Sequence, residues 1–391
     1  MPVLEKKPFA KGRQRAGDWL AVLLLLAILA GLGWLWWHEK HPEKSSPHKS
    51  PPTVPVNKNL SPLLAVPVVK MVEPEKPVVA PVPAQVAPPA VEKPNPVSPV
   101  ISETDFPRPV RGILEAQIAL ARRAISPGSI DGAAGSQTRA AIGAFQRSEN
   151  LLESGLLGTN TRAQLTLDAP VLADYTVTTN DLARLQPLGK TWLAKSQQSA
   201  LEYETILECV AEKAHAHPLL VQKFNPGVDW TSLAAGTVLK IPGVSYPEPA
   251  DKAAFVIIHL SGKFLEAFDA DTNLLLHCPC SIAAKVEKRP VGELHVAAIA
   301  PHPNYTFDPA VFPESPEAQA IGHKLILPPG PNNPVGVAWI SLDKPGYGMH
   351  GTPSPEQVGR TESHGCFRLA NWDAEYLVKL VSVGMPVEVV P

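Results

Sequence analysis

The sequence is poor in cysteine and in net charge, and each shortage argues against a class of protein. Four cysteines in 391 residues are too few for a fold held together by disulfides. No two of them form a Cys-x-x-Cys pair, which disfavours a zinc ribbon. Lysine plus arginine (35) nearly balance aspartate plus glutamate (37), so no basic excess indicates a nucleic-acid partner.

Proline, in contrast, is abundant, and its 44 residues are concentrated towards the N-terminus. Residues 38–108 mix proline with valine, alanine, lysine and glutamate. Proline fixes the backbone angle φ and has no N–H to donate, so this composition favours extended polyproline II over a packed core. We therefore interpret residues 38–108 as a disordered linker that separates the folded parts after residue 108 from residues 1–37.

The first 37 residues predict a membrane anchor. Residues 1–18 form a basic head, and residues 19–37 are uncharged, rich in leucine and long enough to cross a bilayer as a helix. Positive charge stays on the cytoplasmic side, so we expect a single-pass anchor in the cytoplasmic membrane with the rest of the chain on the periplasmic side. A cleavable signal peptide is the alternative, but its apolar segment is usually shorter and ends in small residues, whereas this one ends in tryptophans.

The remainder predicts three folded parts and therefore a multidomain protein. Residues 109–170 show helical periodicity, residues 171–246 mix short strands with a helix, and residues 252–391 are mainly β. In this last part, apolar runs punctuated by glycine and proline predict strands, and two short periodic stretches, 318–321 and 373–383, predict helices. The predicted strands span residues 254–260, 274–282, 294–299 and 337–342.

The helical part resembles the three-helix peptidoglycan-binding domain. The resemblance rests on the run ILEAQIALARRAISPGSIDGAAGSQTRAAIGAFQ, which covers most of such a module. It includes the turn Ser126-Pro127-Gly128 and the loop Ile130-Asp131-Gly132 between two helices. Most of these residues are also explained as core and turn positions, so no binding residue is assigned here.

The second part resembles a LysM module, a small βααβ fold that binds N-acetylglucosamine polymers. A strand at 175–177, a helix at 203–214 and a final strand at 237–242 give this order. Residues 185–202 form an extra stretch that a compact LysM module lacks. Both a glycan-binding module and a degenerate, structural one fit the sequence.

Near the C-terminus, the sequence contains the ingredients of an activated thiol. Cys366 lies in Ser363-His364-Gly365-Cys366, and His350 lies upstream in His350-Gly351-Thr352. An imidazole can take the proton of a nearby thiol, and backbone amides at a glycine turn can face a developing oxyanion. Two other readings stay open from the residues alone, a buried cysteine that only packs and a metal site built from His350, His364 and Cys366.

The C-terminal part resembles the L,D-transpeptidase (YkuD-type) catalytic domain. The stretch YGMHGTPSPEQVGRTESHGCFRL matches the family signature, a His-Gly-Thr followed by Ser-His-Gly-Cys and an arginine two residues later. Two upstream segments agree, the turn Arg289-Pro290-Val291-Gly292 and the run Gly330-Pro331-Asn332-Asn333-Pro334. The resemblance covers the whole mainly-β part.

This resemblance implies a role for each motif residue. Cys366 is the nucleophile, His350 the general base, and the carbonyl of Gly351 orients His350. Ser363, His364 and Gly365 shape the turn and the oxyanion site, and Arg368 supports the substrate. The implied substrates are peptidoglycan stem peptides and glycan, the product is a 3→3 cross-link, and neither a metal nor an organic cofactor is needed.

Two alternatives to cross-linking remain at this point. The same thiol could serve an L,D-carboxypeptidase, with water as acceptor, or a transferase that attaches a D-amino acid or a protein lysine to the wall. A protein of another class, a non-catalytic anchor between membrane and wall, would use the two N-terminal modules without the thiol. The pair of Cys366 and His350 favours the enzyme. Cys209, Cys278 and Cys280 are interpreted as buried residues, with a disulfide to Cys209 as the alternative.

Overall fold

The computed structural model describes residues 106–391. The predicted basic head, the membrane anchor and nearly all of the linker lie outside the described residues. None of the helices within residues 106–391 is long and apolar enough to cross a bilayer. The first described strand begins at Arg108, which the composition had placed at the end of the linker.

Nine α-helices and fourteen strands lie within residues 106–391. The helices are α1 (Ile113–Ala121), α2 (Ser136–Ser148), α3 (Thr159–Gln164), α4 (Thr179–Ala183), α5 (Trp192–Ser196), α6 (Ile206–Lys213), α7 (Pro218–Phe224), α8 (Pro316–Ile321) and α9 (Asn371–Leu380). The strands are β1 (Arg108–Pro109), β2 (Thr166–Leu167), β3 (Leu172–Thr176), β4 (Val238–Pro242), β5 (Phe255–His259), β6 (Phe264–Phe268), β7 (Leu274–Pro279), β8 (Gly292–Pro301), β9 (Tyr305–Phe307), β10 (Leu325–Leu327), β11 (Ala338–Leu342), β12 (Gly348–His350), β13 (Phe367–Arg368) and β14 (Pro386–Val390).

The first domain, here called the helical domain, contains α1, α2 and α3 and is closed by the antiparallel pair β1–β2. Its loops are held by a buried glutamine on α1. The amide nitrogen of Gln117 donates to Asp131 and Thr138 at 3.0 Å each, and its oxygen accepts from the Gly132 N–H at 2.8 Å. Because these are positions of the peptidoglycan-binding motif, much of that motif serves to fix the loop between α1 and α2.

The second domain, here called the middle module, places α4 to α7 between the antiparallel strands β3 and β4. The helix predicted from residue 203 begins instead at Ile206, because Thr205 caps it. The Thr205 hydroxyl accepts from the Glu208 N–H at 3.2 Å, and the Glu208 carboxylate in turn binds the Thr205 N–H.

The third domain, here called the β domain, is built on an eight-stranded sheet in the order β13-β12-β11-β8-β14-β5-β6-β7. Each strand predicted from the sequence overlaps an observed one, namely β5, β7, β8 and β11. Strands β12 and β13 pair in parallel at one end of the sheet, and α9 packs against the sheet beside them. Strands β9 and β10 form a separate hairpin that encloses α8.

The helical domain docks on the β domain through the turn that follows α1. The Ser126 N–H donates to the His277 carbonyl at 2.7 Å, and the His277 N–H donates to the Ala124 carbonyl at 3.0 Å. The buried carboxyl of Asp373 accepts from the Ser126 hydroxyl and from the Tyr246 hydroxyl. Burial raises the pKa of Asp373 to about 7, which makes this carboxyl a neutral junction between the domains at mildly acidic pH.

Candidate active site

Two short parallel strands bring Cys366 and His350 into one cavity. His350 is the last residue of β12 and lies opposite Arg368 of β13, and Cys366 immediately precedes β13. The Leu369 N–H donates to the His350 carbonyl at 2.8 Å, which fixes the two strands side by side. Both side chains line a cavity of about 610 Å³. Residues that are separated in sequence by a loop are thus joined at one site.

His350 is held as a neutral imidazole. Its Nδ1 lies 2.6 Å from the Gly351 carbonyl oxygen, and because a carbonyl can only accept, Nδ1 must be the protonated nitrogen. Trp339 stacks on the ring with centroids 5.5 Å apart. Burial lowers the pKa of His350 to about 4, so the ring is uncharged near neutral pH and Nε2 keeps a free lone pair. An imidazole in this state can accept a proton.

Cys366 is a partly buried thiol. Burial raises the pKa of its thiol, and a hydrogen bond from the Gly348 N–H lowers it by less. The sulfur also lies 3.5 Å from the Gly346 carbonyl oxygen, to which the thiol donates. The thiol therefore stays protonated near neutral pH, and its reaction with a carbonyl requires a base that removes the proton during attack.

This protonation state predicts the pH dependence of alkylation. Because the thiol pKa is raised, the thiolate fraction should rise about tenfold per pH unit from pH 6 to pH 9. We expect the rate of Cys366 alkylation by iodoacetamide, followed by intact mass, to rise with the same slope. A rate that is already level below pH 7 would instead indicate a preformed thiolate–imidazolium pair and would contradict the proposed state.

The residues before Cys366 form a turn that is closed on itself. The Ser363 N–H donates to the Ile282 carbonyl at 2.8 Å, which ties the turn to the neighbouring strand segment. The Ser363 hydroxyl donates to the Cys366 carbonyl at 2.6 Å and accepts from the Gly365 N–H at 3.2 Å. Ser363 therefore sets the shape of the turn, and His364 points from it to the ring of Phe312, with centroids 5.3 Å apart.

Arg368 lines the same cavity and keeps one donor unused. Its Nη2 donates to the Thr361 hydroxyl at 3.2 Å and to the Glu362 carbonyl. Its Nε is buried and has no hydrogen-bond partner within residues 106–391. The guanidinium places a positive charge at the wall of the cavity, so the side chain is suited to attract an anionic group of a ligand.

Asn371, the first residue of α9, supports the site but was not identified from the sequence. Its Oδ1 accepts from the Thr352 N–H at 3.1 Å and from the Val337 N–H at 3.3 Å. Its amide nitrogen donates to Glu212 of the middle module at 3.0 Å and to the Pro331 carbonyl at 3.1 Å. One buried side chain thus connects the His-Gly-Thr turn, the Gly330–Pro334 run and a second domain.

Close packing explains why residue 351 is glycine. A Cβ at Gly351 would lie 2.2 Å from Asn371 Oδ1, a distance that no side chain can adopt. The backbone of Gly351 therefore lies directly against the side chain of Asn371, and this contact positions the Gly351 carbonyl that binds His350. No local pattern around Asn371 distinguishes it, since its partners come from distant parts of the chain.

The other cysteines lie away from this cavity. Cys209, Cys278 and Cys280 are buried and free, so none of them forms the disulfide considered as an alternative. Burial raises the pKa of Cys209 to about 11 and of Cys280 to about 12, as expected for thiols that only pack. No group of three or more His, Cys, Asp or Glu side chains within residues 106–391 is arranged to hold a metal ion.

A thiol and a neutral imidazole in one cavity, on a glycine turn, define a site for acyl transfer through cysteine. Residues 253–389 match the model of the L,D-transpeptidase catalytic domain, and residues 111–165 match that of a peptidoglycan binding domain. The β domain is thus an L,D-transpeptidase catalytic domain, an acyltransferase that acts on peptidoglycan, and the helical domain is a peptidoglycan-binding domain.

Individual proteins show the same similarity. YkuD of Bacillus licheniformis, named as an L,D-transpeptidase, is 26% identical over 188 residues, which are 48% of this chain and 94% of that protein. YbiS of Escherichia coli, also named as an L,D-transpeptidase, is 29% identical over 178 residues, which are 42% of this chain and 53% of that protein. The chain thus spans nearly all of the first relative and about half of the second. Among solved structures, the L,D-transpeptidase from Mycobacterium smegmatis is 19% identical with a TM-score of 0.29, covering 42% of this chain and 80% of that one.

Proposed function

We propose that the chain forms 3→3 cross-links in peptidoglycan through a thioester on Cys366. The observation that supports this best is the joint placement of Cys366 and His350 in one cavity, with Nδ1 of His350 bound to the Gly351 carbonyl. This arrangement leaves Nε2 as the proton acceptor. It provides a nucleophile and a base without any charged partner for the imidazole, since a backbone carbonyl takes the orienting role.

The first half of the reaction acylates Cys366. The sulfur attacks the carbonyl of the diamino acid at position three of a stem peptide, and Nε2 of His350 takes the thiol proton. The oxyanion accepts hydrogen bonds from backbone amides of the turn 364–366 other than the Gly365 N–H, which already donates to the Ser363 hydroxyl. When the intermediate collapses, the C–N bond breaks, His350 returns its proton to the leaving amine of D-alanine, and a thioester remains on Cys366. Arg368, whose guanidinium lines the cavity, binds a carboxylate of the donor.

The second half transfers the acyl group to an amine. The side-chain amine of a neighbouring stem peptide attacks the thioester, His350 removes a proton from it, and the thiol is regenerated with that proton. Water in place of the amine would give an L,D-carboxypeptidase, and a D-amino acid or a protein lysine would give an attachment reaction. All of these acceptors react with the same thioester, so the product depends on which acceptor attacks the thioester fastest.

The test is the intact mass of the purified full-length protein after incubation with disaccharide-tetrapeptide, and separately with a carbapenem. We expect a covalent adduct in each case, its loss in Cys366→Ala, and 3→3 dimers among the products. Cys209→Ala, which removes a buried thiol far from the cavity, is the matched control and should keep both adducts. An adduct with tripeptide as sole product would identify a carboxypeptidase. Neither adduct nor product from folded protein would favour a non-catalytic anchor.

We also propose a cellular location for this domain. Residues 19–37 anchor the chain in the cytoplasmic membrane, and the linker extends the folded domains into the periplasm, as their uncharged and proline-rich sequences support. Retention of the chain in the membrane after alkaline carbonate extraction would support the anchor, and its release would refute it.

We also propose that residues 171–246 form a LysM-like module. Their strand–helices–strand order, with β3 paired to β4, supports this.

A further inference from the structure

The stretch 185–202, which a compact LysM module lacks, lies against the catalytic domain. We call it the strap. At its end, the Leu201 N–H donates to the Pro329 carbonyl and the Leu201 carbonyl accepts from the Asn332 N–H, at 2.9 Å each. The contact is so close that a Cβ at Gly330 would lie 2.1 Å from the Leu201 carbonyl oxygen. The end of the strap is therefore fixed to the catalytic domain at Leu201.

The strap places Trp192 in the wall of the Cys366 cavity. The indole of Trp192 stacks on Phe307 with centroids 4.5 Å apart and on Phe312 at 5.9 Å. Phe312 in turn contacts the ring of His364 in the Cys366 turn. Trp192 is thus separated from the nucleophile's turn by a single aromatic ring and forms a part of the cavity that comes from another domain.

The surroundings of Trp192 combine an aromatic ring at the cavity wall with a nearby amine donor. The ring is half-buried, so it is held by its neighbours and still faces the cavity. The Lys195 Nζ lies 6.0 Å from the ring centroid and can donate to hydroxyl or acetamide oxygens beside it. The methyl and carboxylate groups of a stem peptide make little use of a flat aromatic face, and Lys195 over the ring disfavours a second cation there. A pyranose ring, in contrast, presents a face of C–H groups that packs well on an indole.

We propose that Trp192 forms a subsite for the sugar to which the donor stem peptide is attached. The inference rests on the proposed function, since it assumes that a stem peptide occupies the cavity at Cys366. It makes the middle module a determinant of donor choice: a donor still joined to its glycan gains a contact that a free peptide lacks. The module thus acts in the transfer site itself, through the strap.

The test measures binding without turnover. In the full-length Cys366→Ala protein, the affinities for disaccharide-tetrapeptide and for free tetrapeptide are compared by calorimetry. We expect the disaccharide to bind about three- to tenfold tighter, and Trp192→Ala to abolish this ratio. Trp192→Leu keeps an apolar side chain against Phe307 but has no flat face, so it should also bind the two ligands equally. This variant serves as the test if Trp192→Ala does not fold. Leu193→Ala changes the neighbouring side chain, which is 46% exposed, and should keep it.

The outcomes separate this inference from the proposed function. Equal weakening of both ligands by the Trp192 variants would overturn it, because that result describes a wall residue without preference for sugar. An unchanged ratio in those variants, or no preference in the Cys366→Ala protein, would overturn it as well. Failure of the wild-type protein to form a thioester would refute the proposed function by a separate measurement, which the binding ratios do not use.

Discussion

Replacing His350 with alanine should lower the rate of thioester formation at Cys366 by about three orders of magnitude. The thiol pKa is raised by burial, so hardly any thiolate is present near neutral pH without a base. His350, whose pKa is lowered to about 4, is the neutral imidazole available to take the proton. The measurement is the time course of the adduct by intact mass, with disaccharide-tetrapeptide at pH 7.

The control for this experiment is His323→Ala, which removes an exposed imidazole that contacts only a backbone carbonyl. It should leave the acylation rate unchanged. Iodoacetamide at pH 9 should still alkylate Cys366 in His350→Ala, because hydroxide then supplies the thiolate and the reagent does not need the base. An acylation rate within about threefold of the wild type would show that His350 is not the base.

Replacing Asn371 with alanine should lower the free energy of unfolding by about 3–4 kcal/mol and should also slow acylation. The change removes an acceptor from the Thr352 and Val337 N–H groups, and a donor from the Pro331 carbonyl and from Glu212. The Thr352 N–H and the Pro331 carbonyl stay buried, and the Val337 N–H and Glu212 stay partly buried, where leaving a polar group without a partner is costly. Urea denaturation followed by fluorescence gives the stability change.

Asn273→Ala is the matched control, since Asn273 lies in an exposed hairpin turn and binds only Asp269. Its effect should stay within about 0.5 kcal/mol. Comparable losses for Asn371 and Asn273 would show that the Asn371 hydrogen bonds contribute little. A stable Asn371→Ala protein with full acylation rate would remove Asn371 from the support of the His-Gly-Thr turn.

The parts of the site that are local in sequence were predictable. Cys366 and His350 stand in short motifs whose residue types indicate nucleophilic chemistry, and strand β12, which ends at His350, pairs with β13, which begins directly after Cys366. Trp192 and Asn371 were not identified, because their significance comes from partners far away in the chain. A tryptophan in a loop-like stretch has no periodicity to mark it, and an asparagine at a helix start is ordinary.

The missed strands have physical reasons as well. Strand β6 escaped detection because Glu266 interrupts its apolar run and would ordinarily face water. In the fold, Glu266 is buried and accepts a hydrogen bond from His277 Nδ1 at 3.0 Å, while Arg147 of the helical domain pairs with it. Burial would raise the pKa of Glu266, but His259, His277 and the charge of Arg147 together hold it down at about 2. Because one of the charged partners of Glu266 comes from another domain, the residues next to Glu266 in sequence do not reveal that its carboxylate is buried.

The order in which the sheet is completed has a consequence for biogenesis. Strand β14, the last in chain order, lies between β8 and β5 in the middle of the sheet. A nascent chain that stops before residue 386 therefore holds two separate half-sheets, each with an unpaired edge open to aggregation and proteolysis. Truncation before residue 386 therefore leaves the sheet in two parts, with the Cys366 site beside only one of them.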